Sequence, residues 1–217
     1  MNSHHPQDDL LLGLAAGRLT AGASVVVAAH LERCSACRAR LHTLQAVGGA
    51  VLEQCAPVLM SPGAWERTLA SIDAPAPQPA AVPVAQPPAQ WPAEVQWPGS
   101  LHGCTVSKWH WMGPGMRFAR VQIPHAPQDS LFLLRIGAGR SLPRHTHQGT
   151  ELTQVLSGSF DDGRAVFAAG DFDDADGEVH HQPVVRAGAE CICLAYLDAP
   201  LRFDGRIAGM IGGWVGL

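Results

Sequence analysis

Residues 74–98 read APAPQPAAVPVAQPPAQWPAEVQWP, a run that no helix or central strand can contain, because each proline fixes φ and removes a backbone donor. Its composition predicts an extended, semi-rigid spacer. The chain of 217 residues is thereby divided into about 73 residues on one side and about 119 on the other, and the two parts differ in texture.

Residues 1–73 carry helical signals. Pro6, Asp8 and Asp9 suit a first helical turn, and LLLGLAAGRL continues an apolar pattern towards Gly22. A second helix is expected through VVVAAHLERC. A third runs from about Ala36 through RARLHTLQAVGGAVLEQ, where Leu41, Leu44, Val47 and Val51 form a one-sided stripe. A short fourth helix is expected from Ala64 to Ile72. Residues 99–217 change period: CTVSKWHWM, MRFARVQI, SLFLLRI, ELTQVLSGSF, GRAVFAA, QPVVRA and ECICLAYL are short, β-branched or aromatic, and bounded by Gly, Pro or Asp. Strands so spaced predict an antiparallel sandwich or barrel, giving an α + β chain of two domains.

Composition narrows the function classes. A formal charge of −4 supplies no basic footprint for direct nucleic-acid binding. No apolar run approaches the roughly 20 residues that span a bilayer, and no leader pattern opens the sequence, so a cytoplasmic, membrane-free protein is expected. Its six cysteines are then expected to be reduced thiols available to metal or redox chemistry.

The stretch HLERCSACR, residues 30–38, is the first ligand set. His30 and Cys34 are four apart and share one helix face, and Cys37 follows at the tight turn of a Cys-x-x-Cys pair. Three ligands on so small a scaffold require a fourth, either His5 or His4, carried in by docking of the first helix. A closed His/Cys set is what structural zinc prefers, and it would contribute directly to folding. The redox form of Cys-x-x-Cys follows a strand in a βαβ unit, and none is visible. The pattern resembles the zinc-binding anti-sigma domain, whose helices pack against an extracytoplasmic-function sigma factor. That resemblance implies His5, His30, Cys34 and Cys37 as Zn2+ ligands.

The second set lies in GRSLPRHTHQGTELTQVLSG, residues 139–158, whose spacing of Gly139, His145, His147, Glu151 and Gly158 resembles the first motif of the cupin jelly-roll. On a strand, His145 and His147 point to one face, and Glu151 returns from the next strand. Such a site suits Zn2+ or another divalent transition metal, Mn, Fe, Ni or Cu. The second motif is weaker: GRAVFAAGDF has Ala169 where proline is usual, and the histidine is delayed to HHQP. Either His180 or His181 can face inward, not both. Cys191 and Cys193 share a strand face, either as small hydrophobes buried in the core or as a pair able to respond to an oxidant.

The combination of an anti-sigma-like zinc module (1–73), a Pro/Ala-rich linker (74–98) and a single cupin (99–217) resembles the ChrR-type anti-sigma factors over nearly the whole chain. The resemblance selects His181 through the likeness of HHQP to that family's stretch. It implies sequestration of an extracytoplasmic-function sigma factor and its release by singlet oxygen or organic peroxides. The competing reading is a metal-dependent cupin oxygenase or isomerase with an accessory zinc domain.

Overall fold

The structure, a computed structural model, describes residues 2–75 and 85–203. Four helices come first: α1 (Asp8–Ala15), α2 (Ala21–Arg33), α3 (Ser35–Glu53) and α4 (Ala64–Asp73). After a 3-10 turn at Gly99–Leu101 follow β1 (Thr105–Val106), β2 (His110–Gly113), β3 (Met116–Ile123), β4 (Ala126–Ile136) and β5 (His145–His147). Then come β6 (Glu151–Ser157), β7 (Ser159–Asp161), β8 (Val166–Ala168), β9 (Phe172–Ala175) and β10 (His180–His181). The last are β11 (Val184–Val185), β12 (Cys191–Leu197) and β13 (Leu201–Phe203). All pairings are antiparallel. The large sheet runs β1-β3-β4-β12-β6-β9 with β2 beside β3, and two three-stranded sheets, β10-β5-β13 and β11-β7-β8, close the barrel.

Helix α1 stops earlier than its apolar pattern suggests. Gly17 takes φ 65°, and Arg18 N–H closes back on Gly13 O at 2.8 Å, so the glycine ends the helix in the left-handed conformation that a side chain disfavours. Thr20 then caps α2, its Oγ1 accepting from Ala23 N.

Helix α2 is apolar on nearly every side, and the fold uses all of it. Only Glu32 and Arg33 are exposed. One side meets α1 and α3, while the other lies on β4, β6 and β12, where Val26, Val27 and Ala29 join one core with Leu131, Leu133, Leu152, Ile192, Leu194 and Tyr196. A helix that is hydrophobic all round belongs in a core. Both ends are tied to the β-half: Thr20 Oγ1 donates to Tyr196 Oη at 2.9 Å, Gly22 N to Asp129 Oδ2 at 2.7 Å, and the Glu32 carboxylate accepts from Gly99 N and Ser100 N.

The same layering explains β12. CICLAYL is buried at every position because its two faces serve two cores. Ile192, Leu194 and Tyr196 lie under α2, whereas Cys191, Cys193, Ala195 and Leu197 face the barrel interior with Phe118, Phe132, Leu134 and Val155.

The second half of the Pro/Ala-rich stretch is packed rather than extended as a free spacer. Trp91 meets Trp97 edge-on with centroids 5.0 Å apart and stacks parallel to Trp109, its Nε1 donates to Val95 O at 2.7 Å, and Ala85 and Val95 are buried. Its tryptophans supply enough apolar area to anchor a segment whose prolines prevent regular structure. Residues 76–84 lie outside the described residues.

A Cβ at Gly22 would collide with the Tyr196 ring. Gly22→Ala is therefore expected to destabilise the chain by about 1–3 kcal/mol through overpacking, read as a lowered Tm in thermal unfolding. An unchanged Tm would contradict the close seating of α2 on β12.

Candidate metal centres

An arm of residues 2–7 delivers His5. Asp171 Oδ1 accepts from Ser3 N at 2.6 Å and His4 N at 3.1 Å, and Phe172 N donates to His4 O at 3.1 Å, so the arm is fastened to the start of β9. Burial opposes ionisation of Asp171, but amide bonds from Ala168, Ser3 and His4 hold its carboxyl below the usual range. His4 turns its ring onto Phe167, 4.6 Å between centroids, and His5 turns the other way.

There His5 Nδ1 lies 3.4 Å from each of His30 Nε2, Cys34 Sγ and Cys37 Sγ. His30 is the last buried residue of α2; Cys34 is the extended residue between α2 and α3, and Cys37 sits in the first turn of α3. Cys34 Sγ also accepts from Cys37 N at 3.4 Å, the amide support that a thiolate at a helix N-terminus receives. A tetrahedral zinc with bonds of about 2.0–2.3 Å has ligand atoms roughly 3.3–3.8 Å apart. The three distances from His5 Nδ1 fit that figure, all four donor atoms lie within 4.8 Å of one another, and the Cys2His2 composition suits structural zinc.

Burial, with some help from the charge of His5, lowers the pKa of His30 against the opposing bond from Gln154, which favours the neutral imidazole that a metal requires. Without metal, burial and the neighbouring Cys34 push the Cys37 thiol up to about 12. A metal must displace that proton on binding.

The second cluster forms at one mouth of the barrel. Strand alternation sends His145 and His147 inward from β5, with Thr146 between them facing out; register pairs His181 of β10 with His145 and exposed His180 with Thr146. Glu151 opens β6. Its Oε2 is 2.7 Å from His147 Nε2 and 3.7 Å from His145 Nε2, and His181 Nε2 is 3.1 Å from His145 Nε2. In each ring the other nitrogen has an acceptor: Pro143 O at 2.8 Å for His145, Asp176 O at 3.1 Å for His147, and Asp162 Oδ2 at 3.4 Å for His181. This is how proteins fix a histidine tautomer with Nε2 free for a metal. Burial resists the charge on Glu151, but His145 and His147 outweigh it and hold the carboxyl far below its ordinary range.

The structure thus brings His5, His30, Cys34 and Cys37 together at one place and His145, His147, Glu151 and His181 at another. His4 and His180 stand outside both. Reading the sequence alone missed the supporting residues. Asp162 backs His181, and Arg164 ties Asp162 to Asp173, with Nη2 2.8 Å from the Asp173 carboxyl. Gln154 backs His30 at 2.9 Å. Asp162 lies in an Asp-Asp-Gly-Arg turn, and no local pattern links it to a histidine 19 residues away. Cys191 and Cys193 place their sulfurs 3.6 Å apart in the barrel interior, where hydrogen bonding to Cys191 and burial keep Cys193 protonated.

Residues 101–199 match the family model of the ChrR cupin-like domain. The anti-sigma-E factor ChrR of Cereibacter sphaeroides is 40% identical over 206 residues, covering 93% of this chain and 92% of that protein. The chain belongs to the ChrR family. Among solved structures, that of Rhodobacter sphaeroides SigE in complex with the anti-sigma ChrR shares 38% identity and a TM-score of 0.73, over 91% of this chain and 100% of that one. An RmlC-like cupin protein of Ralstonia eutropha is more distant, 21% identical with a TM-score of 0.41 over 46% of this chain and 69% of that one. As a member of the ChrR family, the chain combines four N-terminal helices with a cupin-like antiparallel fold. Among the described residues no helix is long and apolar enough to cross a membrane.

Elemental analysis of purified protein is expected to find two metal equivalents per chain. Cys34→Ser should remove the one at the thiolate set and leave the other, and Glu151→Ala should do the reverse. Loss of both metals from either variant would contradict two independent centres.

Proposed function

We propose that this chain is a cytoplasmic anti-sigma factor that captures an extracytoplasmic-function (group IV) sigma factor through residues 1–73. Residues 99–217, the cupin half, make release depend on singlet oxygen or an organic peroxide. The observation that carries the reading is an uncovered apolar surface on α3 and α4. Val47, Val51 and Leu52 of α3 and Trp65, Leu69 and Ile72 of α4 are 42–72% exposed. On α4 they fall at i, i+4 and i+7, one stripe of a helix that buries no residue in its own chain. Contiguous exposed apolar stripes mark sites of protein association. The relation to ChrR, solved in complex with SigE, supports a sigma factor as the occupant.

Zinc held by His5, His30, Cys34 and Cys37 would fix the angle between α1, α2 and α3 and so the direction in which α3 is presented. The net charge of −4 supports binding to a protein rather than to DNA.

At the second centre His145, His147, Glu151 and His181 would hold Zn2+ or another divalent transition metal. Such an ion supplies Lewis acidity, or redox chemistry where it is iron, manganese or copper. Beside these residues the barrel interior leaves a cavity of about 30 Å³, lined by Leu134, Phe160, Val185, Cys191 and Cys193, whereas organic ligands occupy hundreds. That space supports a small reactive signal rather than an enclosed substrate. An open groove of about 770 Å³ is lined in part by His180 and His181, so the second cluster lies beside solvent.

Leu52→Asp combined with Trp65→Ala in the full chain is expected to weaken sigma capture by at least about 30-fold, as hot-spot truncations of roughly 2 kcal/mol or more do. Glu151→Ala should leave capture intact and blunt release by singlet oxygen. Binding by calorimetry and release by size exclusion read the two effects; sigma capture lost in Glu151→Ala and kept in the helix variant would reverse the assigned roles.

A further inference from the structure

Gln154 is fully buried on β6, in the sheet, yet its side chain reaches into the helical half. Its Oε1 is 2.9 Å from His30 Nδ1, while its own amide nitrogen donates to Val155 O at 3.0 Å, which holds the amide so that its oxygen faces the histidine. His30 Nδ1 therefore carries the proton and donates it to Gln154, and Nε2 is turned towards His5, Cys34 and Cys37. Phe172 of β9 closes edge-on against the same ring, with centroids 5.7 Å apart.

The arm bearing His5 depends on the sheet in a separate way, through Asp171 and Phe172 at the start of β9. Two of the four donors in the helical half are thus oriented by side chains and backbone of the β-half. Cys34 and Cys37, by contrast, stand at the α2–α3 junction, where Cys37 N donates to Cys34 Sγ.

We propose that Gln154 is a positioning residue of the His5/His30/Cys34/Cys37 centre, so that the cupin sheet completes the outer coordination sphere of a metal held by the helices. The proposal rests on the reading of that cluster as a metal site. Gln154 stands three residues from Glu151 on β6, so one strand serves both clusters.

Cobalt(II) is a suitable probe because only the helical cluster contains thiolates, and a thiolate-to-cobalt charge-transfer band reports that centre without interference from the His/Glu set. In the full-length protein, Gln154→Leu is expected to raise the cobalt dissociation constant at this band about 10- to 100-fold. In the zinc-loaded parent, nitrogen-15 NMR should show a slowly exchanging proton on His30 Nδ1; this needs no variant, and its absence would overturn the proposal. So would Gln154→Leu binding within about threefold of the parent, which would reduce Gln154 to a packing residue. A parent chain with no thiolate band would sink the metal reading itself, and the proposal with it.

Discussion

The seating of α2 between two other helices and the large sheet is the contact on which the remaining structure depends. Val26 and Val27 have no solvent exposure, and each contributes about 1.5–3 kcal/mol by leaving water. Because the helix is fastened at Thr20, Gly22 and Glu32, its last turn has one position relative to β6 and β9, and His30 arrives where Gln154 waits. Helix α3 then starts from Cys34 with its direction set, and carries its apolar stripe away from the core into solvent.

The two clusters suit different tasks because their donors differ. Two sulfurs and two nitrogens with no open position favour a closed zinc that braces shape. Three Nε2 atoms and one carboxylate favour an ion with reactive positions, and every one of those rings is steadied by an acceptor on its far nitrogen. The carboxylates behind the second cluster form a buried chain. Asp162 is held ionised by His181, neighbouring amides and Arg164 against its burial, whereas burial pushes Asp173 up to about 7 despite the same guanidinium.

Local spacing made the donor sets legible. His30, Cys34 and Cys37 are related by one helical turn and one tight turn, and His145 with His147 by strand alternation, so their convergence needs no long-range information. Segments such as MRFARVQI and ECICLAYL carry their own period. What local pattern does not encode is contact between distant residues. DFDDA is absent from the strand segments that period picks out, yet residues 172–175 form β9 because residues 151–154 of β6 pair with them. The Pro/Ala-rich run reads as a spacer, yet its second half is held by contacts among Trp91, Trp97 and Trp109. The all-round apolarity of α2 was visible in GASVVVAAHL, and its meaning, a helix covered on two sides, appears only once the sheet supplies the second cover.

Capture of a sigma factor by α3 and α4 can be read by hydrogen–deuterium exchange of the full chain, alone and in complex with its extracytoplasmic-function sigma factor. Slowed exchange is expected along residues 44–72 on complex formation, with the amides of β4, β6 and β12 unchanged. Protection confined to the β-sheets, with α3 and α4 exchanging as in the free chain, would contradict it.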